Sequence, residues 1–386
     1  MNRWIAILRY SVPMAFPIKM DYTLKRDPSG DKALQIWLGV HCEGGEERFF
    51  CADRGAGRII RMKRWTLLIS GLLAASEVLW ISPHGSAAAS QPPRATSHVG
   101  RRSKEPVYYR NQCVVLMYHA VNRRKLPGDV ITPQTFSEEL GLLRKDHFDV
   151  VTFNQLVRFL SKRAPLPPNA VLITFDNGYE SFYRTAFPLL QRYHDPAVLF
   201  PIVSWLNPPH KKGVFHSLTW SQVEQMYRTG LLSVQSQTFN MHQGMQVGPA
   251  STSPATVARA YDPATGHRES IKSYEQRVLS DLMRSRQAIV SHLHERTVQG
   301  FAYPFGDYSP LLVHLLHQAG FGYLFTASFG WGNLPNTNPN TIFRLDVGTP
   351  YVTAPGLIST IKWIAALTRR NPAWRAPSHY IQVWRY

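Results

Sequence analysis

From residue 113 onward, short apolar runs alternate with stretches of helical period. VVLMYH (114–119), DVVTF (149–153), AVLITFD (170–176), PAVLFPIV (196–203), LLSVQS (231–236), GFAYPF (300–305), YLFTASF (323–329) and IFRLDV (342–347) read as strands. In TPQTFSEELGLLRK, Thr132 can cap and Pro133 suits the first helical position, while Phe136, Leu140 and Leu143 share a face. Further helices are expected from Asn154, over ESFYRTAFPLLQRY and over TWSQVEQMYRTG, where Thr219 and Gln222 form a capping pair and Gly230 stops the element. Ser273 and Gln276 offer caps for YEQRVLSDLMRSRQAIVSHL, which gathers Val278, Leu282, Ile289 and Leu293 on one side.

Continuous apolar strands separated by amphipathic helices predict a parallel sheet covered by helices. Seven or eight such units fit an α/β fold, a distorted (β/α) barrel forming a single domain, better than a short open sheet. Chemistry in such barrels gathers at the C-terminal ends of the strands. His119, Asp176-Asn177, Gln237 and the YPFGD of 303–307 all fall at or just past the end of an apolar run. Residues 244–270 are rich in Gly, Pro and Ser without a period, and are expected to form a long rim or lid loop on that face. Residues 351–386, basic and aromatic, read as a closing helix and a tail.

The N-terminal part has a different character. Residues 1–61 show no sustained helical or strand period. Residues 62–89 have a basic start at Lys63 and Arg64, an apolar stretch from Trp65 to Ile81 and small residues at Ala87–Ala89, the layout of a secretory signal peptide. Glu77 interrupts the apolar stretch, which leaves an uncleaved anchor as the alternative. A signal belongs at an N-terminus, so Met62 is the expected start and residues 1–61 an over-extended reading frame. Polar, basic residues 90–112 read as a linker.

Of the formal charge of +18, residues 1–61 contribute ten Lys/Arg against seven Asp/Glu, so +15 belongs to residues 62–386. That excess favours anionic envelope polymers or lipid headgroups as partners. No zinc-finger spacing, aromatic RNA-binding signature or basic block makes nucleic acid a specific partner. Membrane contact is expected only through the signal or anchor segment. Cys42 and Cys51 fall in the doubtful extension and leave Cys113 alone, a small core residue with no disulfide framework.

AVLITFDNGYESFYRTAFPLLQRYHDPAVLFPIVSWL, with SQTFNMH (236–242), FAYPFGDY (301–308) and LFTASFG (324–330) after it in order and VLMYHAV (115–121) before it, resembles the polysaccharide deacetylase (NodB-homology) family. The nearest flavour is that of secreted poly-N-acetylglucosamine de-N-acetylases, and the likeness covers roughly residues 113–350. It implies a divalent metal that polarises water and the acetamide carbonyl. It implies Asp176 as general base, with Asn177, Gln237 and His242 at the metal-ligand positions. It also implies a turn at Tyr303, Pro304, Phe305 and Gly306 in which the Phe305 amide serves the oxyanion. Asn177 and Gln237 stand where the family carries Asp and His, so a zinc- or cobalt-like ion is expected to bind weakly or not at all. Ala302 stands where an arginine often heads the third motif. No late histidine matches the acid that protonates the leaving amine, and His119 is the nearest replacement. Tyr303, Pro304, Asp307 and Trp331 are the expected substrate contacts.

The resemblance implies one of two functions. One is a secreted or envelope enzyme that hydrolyses the N-acetyl amide of an N-acetylglucosamine-containing polysaccharide. The other is a catalytically inactive relative that binds such glycans or assists envelope assembly.

Overall fold

The computed structural model describes four strands within residues 7–51, and residues 105–370 apart from 125, 127, 213–214, 295–297 and 328–330. The chain divides into two units, Met1–Lys104 and Glu105–Tyr386. The expected signal peptide at 62–89, most of the linker and the C-terminal tail lie outside the described residues. Among the described residues no helix is long and apolar enough to cross a membrane.

In the first unit Ile7–Ser11, Lys19–Arg26, Leu34–His41 and Glu47–Cys51 form a sheet in sequence order, every pair antiparallel. This differs from the aperiodic reading of residues 1–61. Leu34, Ile36, Leu38 and Val40 do alternate, but over a single eight-residue strand, too short to register as a sustained period.

The second unit is a distorted (β/α) barrel. Its strands are β1 (Cys113–Tyr118), β2 (Ala170–Asn177), β3 (Ala197–Pro201), β4 (Leu232–Val234), β5 (Gly300–Ala302), β6 (Tyr323–Phe325) and β7 (Leu345–Asp346). Parallel ladders join β7 to β1, β1 to β2, β2 to β3 and β3 to β4. A further parallel ladder joins β5 to β6. Two isolated parallel bridges, Ser236 to Phe301 and Phe325 to Ile342, complete the circuit from β4 to β5 and from β6 to β7. Those two thin seams make the barrel distorted. Asp149–Val150 adds a short parallel strand beside the start of β2.

β1 and β2 are buried at every position, as expected for strands with a packed barrel interior on one face and helices on the other. Helices α1 (Pro133–Lys145), α2 (Phe153–Leu160), α3 (Phe187–Tyr193), α4 (Trp220–Tyr227), α5 (Ile271–Leu293), α6 (Pro310–Gln318) and α7 (Ala354–Arg370) cover the strands. Thr132 caps α1 by accepting from the Thr135 amide, and Thr219 with Gln222 forms the expected capping box on α4. α5 begins three residues earlier than the sequence suggests, because Ser270 is its cap and Ser273 supplies the amide that bonds to it.

Residues 244–270 are also corrected. They contain two antiparallel hairpins, Gly244–Gly248 with Ser251–Pro254 and Tyr261–Asp262 with His267–Arg268. Arg277 on α5 fastens them, donating to the carbonyls of Ala255 and Ala258 and to both carboxylate oxygens of Glu269.

Candidate active site

β2 ends in a turn that its sequence dictates. Asn177 has φ +68° and Gly178 φ +83°, both left-handed, where asparagine and glycine are the residues that tolerate the conformation best. A Cβ at Gly178 would also lie 3.1 Å from that of Pro201 on β3. The tight turn leaves Asp176 at the mouth of the barrel, only 2% exposed.

The partner of Asp176 is Arg344, just ahead of β7. Nη1 donates to Oδ1 at 2.7 Å and Nη2 to Oδ2 at 2.8 Å, a bidentate pair with the arginine fully buried. Nε of Arg344 donates to the Thr326 carbonyl at 2.7 Å, and the guanidinium lies 5.8 Å from the Phe200 ring centroid. A buried guanidinium is tolerable because these bonds replace its water, and the two parallel bonds fix the carboxylate in direction. The cation that pairs with Asp176 thus comes from the approach to β7, since the third motif carries Ala302 and no arginine. Sequence reasoning missed it, although an arginine inside the apolar run IFRLDV signals a buried charge in need of a partner.

His119 lies just past β1, and its Nε2 stands 4.0 Å from Asp176 Oδ2. Among the described residues its Nδ1 is buried without a hydrogen-bond partner, as is Oδ1 of Asp346. Burial, reinforced by the nearby Asp129 carboxylate and opposed by His119, pushes the Asp346 carboxyl above the usual range. His119, Asp129 and Asp346 bring one donor atom each to within 4.8 Å of one another. Neither aspartate stands out in the sequence.

The third motif forms a sharp turn, with Phe305 at φ +58° and Gly306 at φ +77°. A Cβ at Gly306 would meet that of Ala327 at 2.7 Å, so glycine is required both by conformation and by close approach. The Phe305 ring is half exposed, and its centroid lies 4.4 Å from that of His242. The loop that carries His242 is anchored by Asp281, whose carboxylate accepts from the Phe239 and Asn240 amides at 2.8 Å each.

The expected metal triad does not fit an ion of the zinc or cobalt kind. Oε1 of Gln237 accepts from the Asn177 amide at 3.1 Å, and its Nε2 faces Asp176 Oδ2 at 3.5 Å. The side chain thus ties the two motifs together by hydrogen bonds and turns its only ligating atom toward the backbone. Asn177 Nδ2 donates to Tyr179 Oη at 3.3 Å, while its Oδ1 is buried without a partner among the described residues. One imidazole and one neutral amide oxygen remain, a poor donor set for such ions.

Other expected contacts are also relocated. Tyr303 is 1% exposed, donates to the Asn340 carbonyl at 3.0 Å and stacks on Tyr308, so it builds the wall under the site and does not meet a substrate. Pro304 is buried beside it. Asp307 is exposed on the same turn. Trp331 belongs to the opposite end of the barrel. Its neighbour Asn333 exchanges backbone bonds with Cys113, the first residue of β1, whereas His119 stands past the last. About six residues of strand, roughly 20 Å, separate the two ends. Trp331 is therefore not a platform for a sugar at the Asp176 site. Cys113 is buried, and among the described residues it forms no disulfide.

Residues 163–324 match the polysaccharide deacetylase family. The chain is 29% identical over 235 residues to a poly-β-1,6-N-acetyl-D-glucosamine N-deacetylase of Escherichia coli, covering 58% of this chain and 35% of that protein. It thus spans about a third of that relative's length. An enzyme of the same name from Staphylococcus epidermidis is 22% identical over 247 residues, covering 60% of this chain and 77% of the relative. Among solved structures, a de-N-acetylase from Aggregatibacter actinomycetemcomitans superposes with a TM-score of 0.57 at 25% identity, covering 65% of this chain and 99% of that one. IcaB from Ammonifex degensii superposes at 0.51 with 28% identity, covering 65% and 97%. The likeness to polysaccharide deacetylases holds in sequence and in fold.

Proposed function

From a chain whose residues 163–324 match the polysaccharide deacetylase family, we propose a carbohydrate N-deacetylase that hydrolyses the N-acetyl amide of an N-acetylglucosamine-containing polysaccharide. The observation that carries this reading is the Asp176–Arg344 pair with His119 at 4.0 Å, a fixed carboxylate and an imidazole side by side at the strand ends. Water adds to the acetamide carbonyl carbon as Asp176 takes its proton. The carbonyl oxygen becomes an oxyanion, for which the Phe305 amide in its left-handed turn is the donor we assign. The C–N bond then breaks, His119 delivers a proton to the departing glucosamine nitrogen, and acetate leaves. Arg344 holds Asp176 in direction and touches no substrate.

Named relatives act on poly-β-1,6-N-acetylglucosamine, which supports the same polymer class here. The basic excess suits an anionic matrix or envelope around it, and the signal-like residues 62–89 suit export, with or without cleavage. The test is release of free amines from poly-N-acetylglucosamine oligomers by the full chain. Activity that disappears in Asp176→Asn supports the reading, and none under any tested divalent ion counts against it.

The inactive, glycan-binding alternative draws on one observation, the engagement of Gln237 Oε1 by the Asn177 amide at a position where the family places a ligand. Oligomer binding without amine release, unchanged in Asp176→Asn, would favour it.

A further inference from the structure

The motif positions that should hold a metal do not fit one, yet a better donor set stands on the other side of Asp176. We infer that His119, through Nδ1, forms with Asp129 and Asp346 a binding site for a first-row divalent transition ion, of the zinc or cobalt class, leaving Nε2 on the Asp176 side to carry the proton of the proposed reaction.

Three observations meet at this cluster. Its chemistry is right, since one imidazole and two carboxylates are ordinary ligands for such ions, unlike the amides of Asn177 and Gln237. Its geometry is close, because the donor atoms already lie within 4.8 Å of one another. Ligands of a tetrahedral zinc are about 3.3 Å apart. Asp129, exposed on the loop before Val130–Ile131, can swing by the difference. Finally, His119 Nδ1 and Asp346 Oδ1 are both buried with no hydrogen bond among the described residues, although buried polar atoms are nearly always satisfied.

The backbone supports this placement. Asp346 on β7 pairs with Met117 on β1, two residues before His119, so the ladder itself fixes the imidazole and one carboxylate side by side. Gly348 keeps that seam tight, because a Cβ there would lie 3.0 Å from the Tyr118 Cα. Ala120 donates to the Asp129 carbonyl, which brings the third ligand alongside. Arg344 is directed at Asp176 and not at this cluster, so among the described residues no cation is bonded between the two aspartates. A competing arrangement is an Asp346–His119 pair that merely orients the imidazole, and the experiment separates the two.

The full chain, stripped with chelator, is titrated with cobalt(II), monitored by visible absorption and by calorimetry, with zinc(II) as competitor. The expected result is one cobalt per chain at micromolar affinity, displaced by zinc. Asp129→Asn and Asp346→Asn should each weaken it at least about tenfold, equivalent to one ligand's share of the binding. His242→Ala should leave it unchanged. Asp129 is exposed, so its variant is expected to fold and keeps the test decisive if the Asp346 variant does not. No cobalt bound at millimolar concentration would overturn the inference. So would binding that is lost in His242→Ala and retained in Asp129→Asn. The titration involves no substrate, so its failure is distinct from failure of the deacetylase reading.

Discussion

Arg344 and Asp176 form a bidentate pair, at 2.7 and 2.8 Å, between residues 168 positions apart in sequence. The pair joins the end of β2 to the approach to β7, the two strands that flank β1. Removing either partner leaves a buried charge unpaired. Arg344→Met should therefore destabilise the fold by about 3–5 kcal/mol, measured by urea unfolding. Arg344→Lys should recover only part of this, because an ammonium cannot donate to both oxygens in parallel while also bonding the Thr326 carbonyl. A loss below about 1 kcal/mol would mean that the pair is dispensable to the fold.

Glu139 on α1 makes stability depend on pH. It is fully buried, accepts from Tyr118 Oη at 2.8 Å, and burial pushes its carboxyl from an ordinary 4.5 to about 8. The folded state therefore keeps a proton that the unfolded chain has already released. Stability should fall as pH rises from about 4.5 through about 8, by on the order of a few kcal/mol, and level off above. Glu139→Gln should flatten this slope, as read from unfolding midpoints across that range. An unchanged slope in the variant would assign the dependence to another group.

Gly306→Ala tests the third-motif turn. A left-handed backbone and a 2.7 Å approach to the Ala327 Cβ leave no room for a methyl group. The expected cost is about 1–3 kcal/mol in thermal or urea unfolding, with Phe305 displaced. In an active protein, amine release should fall more than substrate binding, since the Phe305 amide is assigned to the oxyanion alone.

The double substitution Asn177→Asp with Gln237→His tests the lost triad. Aspartate tolerates the left-handed conformation at 177, and histidine at 237 no longer spends a ligand atom on the Asn177 amide. With His242 these residues form a complete Asp-His-His set. Calorimetry should show a zinc site absent from the natural chain, additional to any ion bound at His119. No added site would mean that the loop carrying His242 is placed too far away.

Much of the barrel was legible because the strands are buried on both faces, so AVLITFD and VVLMYH stand out as continuous apolar runs. All eight expected strand segments have counterparts in the second unit, though several are shorter than their apolar runs. The hairpins of 244–270 were not legible, since their strands are short and polar and depend on Arg277 from a distant helix. Asp176 and His119 could be placed at strand ends by pattern alone. Arg344 could not, because its role depends on which strands become neighbours on closure, a relationship no local period carries. Tyr303 and Trp331 were misplaced for a related reason. An aromatic beside a motif reads alike whether it lines the site, supports it or, like Trp331, belongs to the far end of the barrel.

The most direct test of the Asp176 site is amine release from poly-β-1,6-N-acetylglucosamine oligomers by the full chain, compared with Asp176→Asn and His119→Ala. Measurable release is expected from the natural sequence, reduced by at least about a hundredfold in each variant, the usual scale for losing a general base or acid. Release that survives Asp176→Asn at full rate would contradict the assignment, because no carboxylate would then be needed in the place that β2 and Arg344 fix.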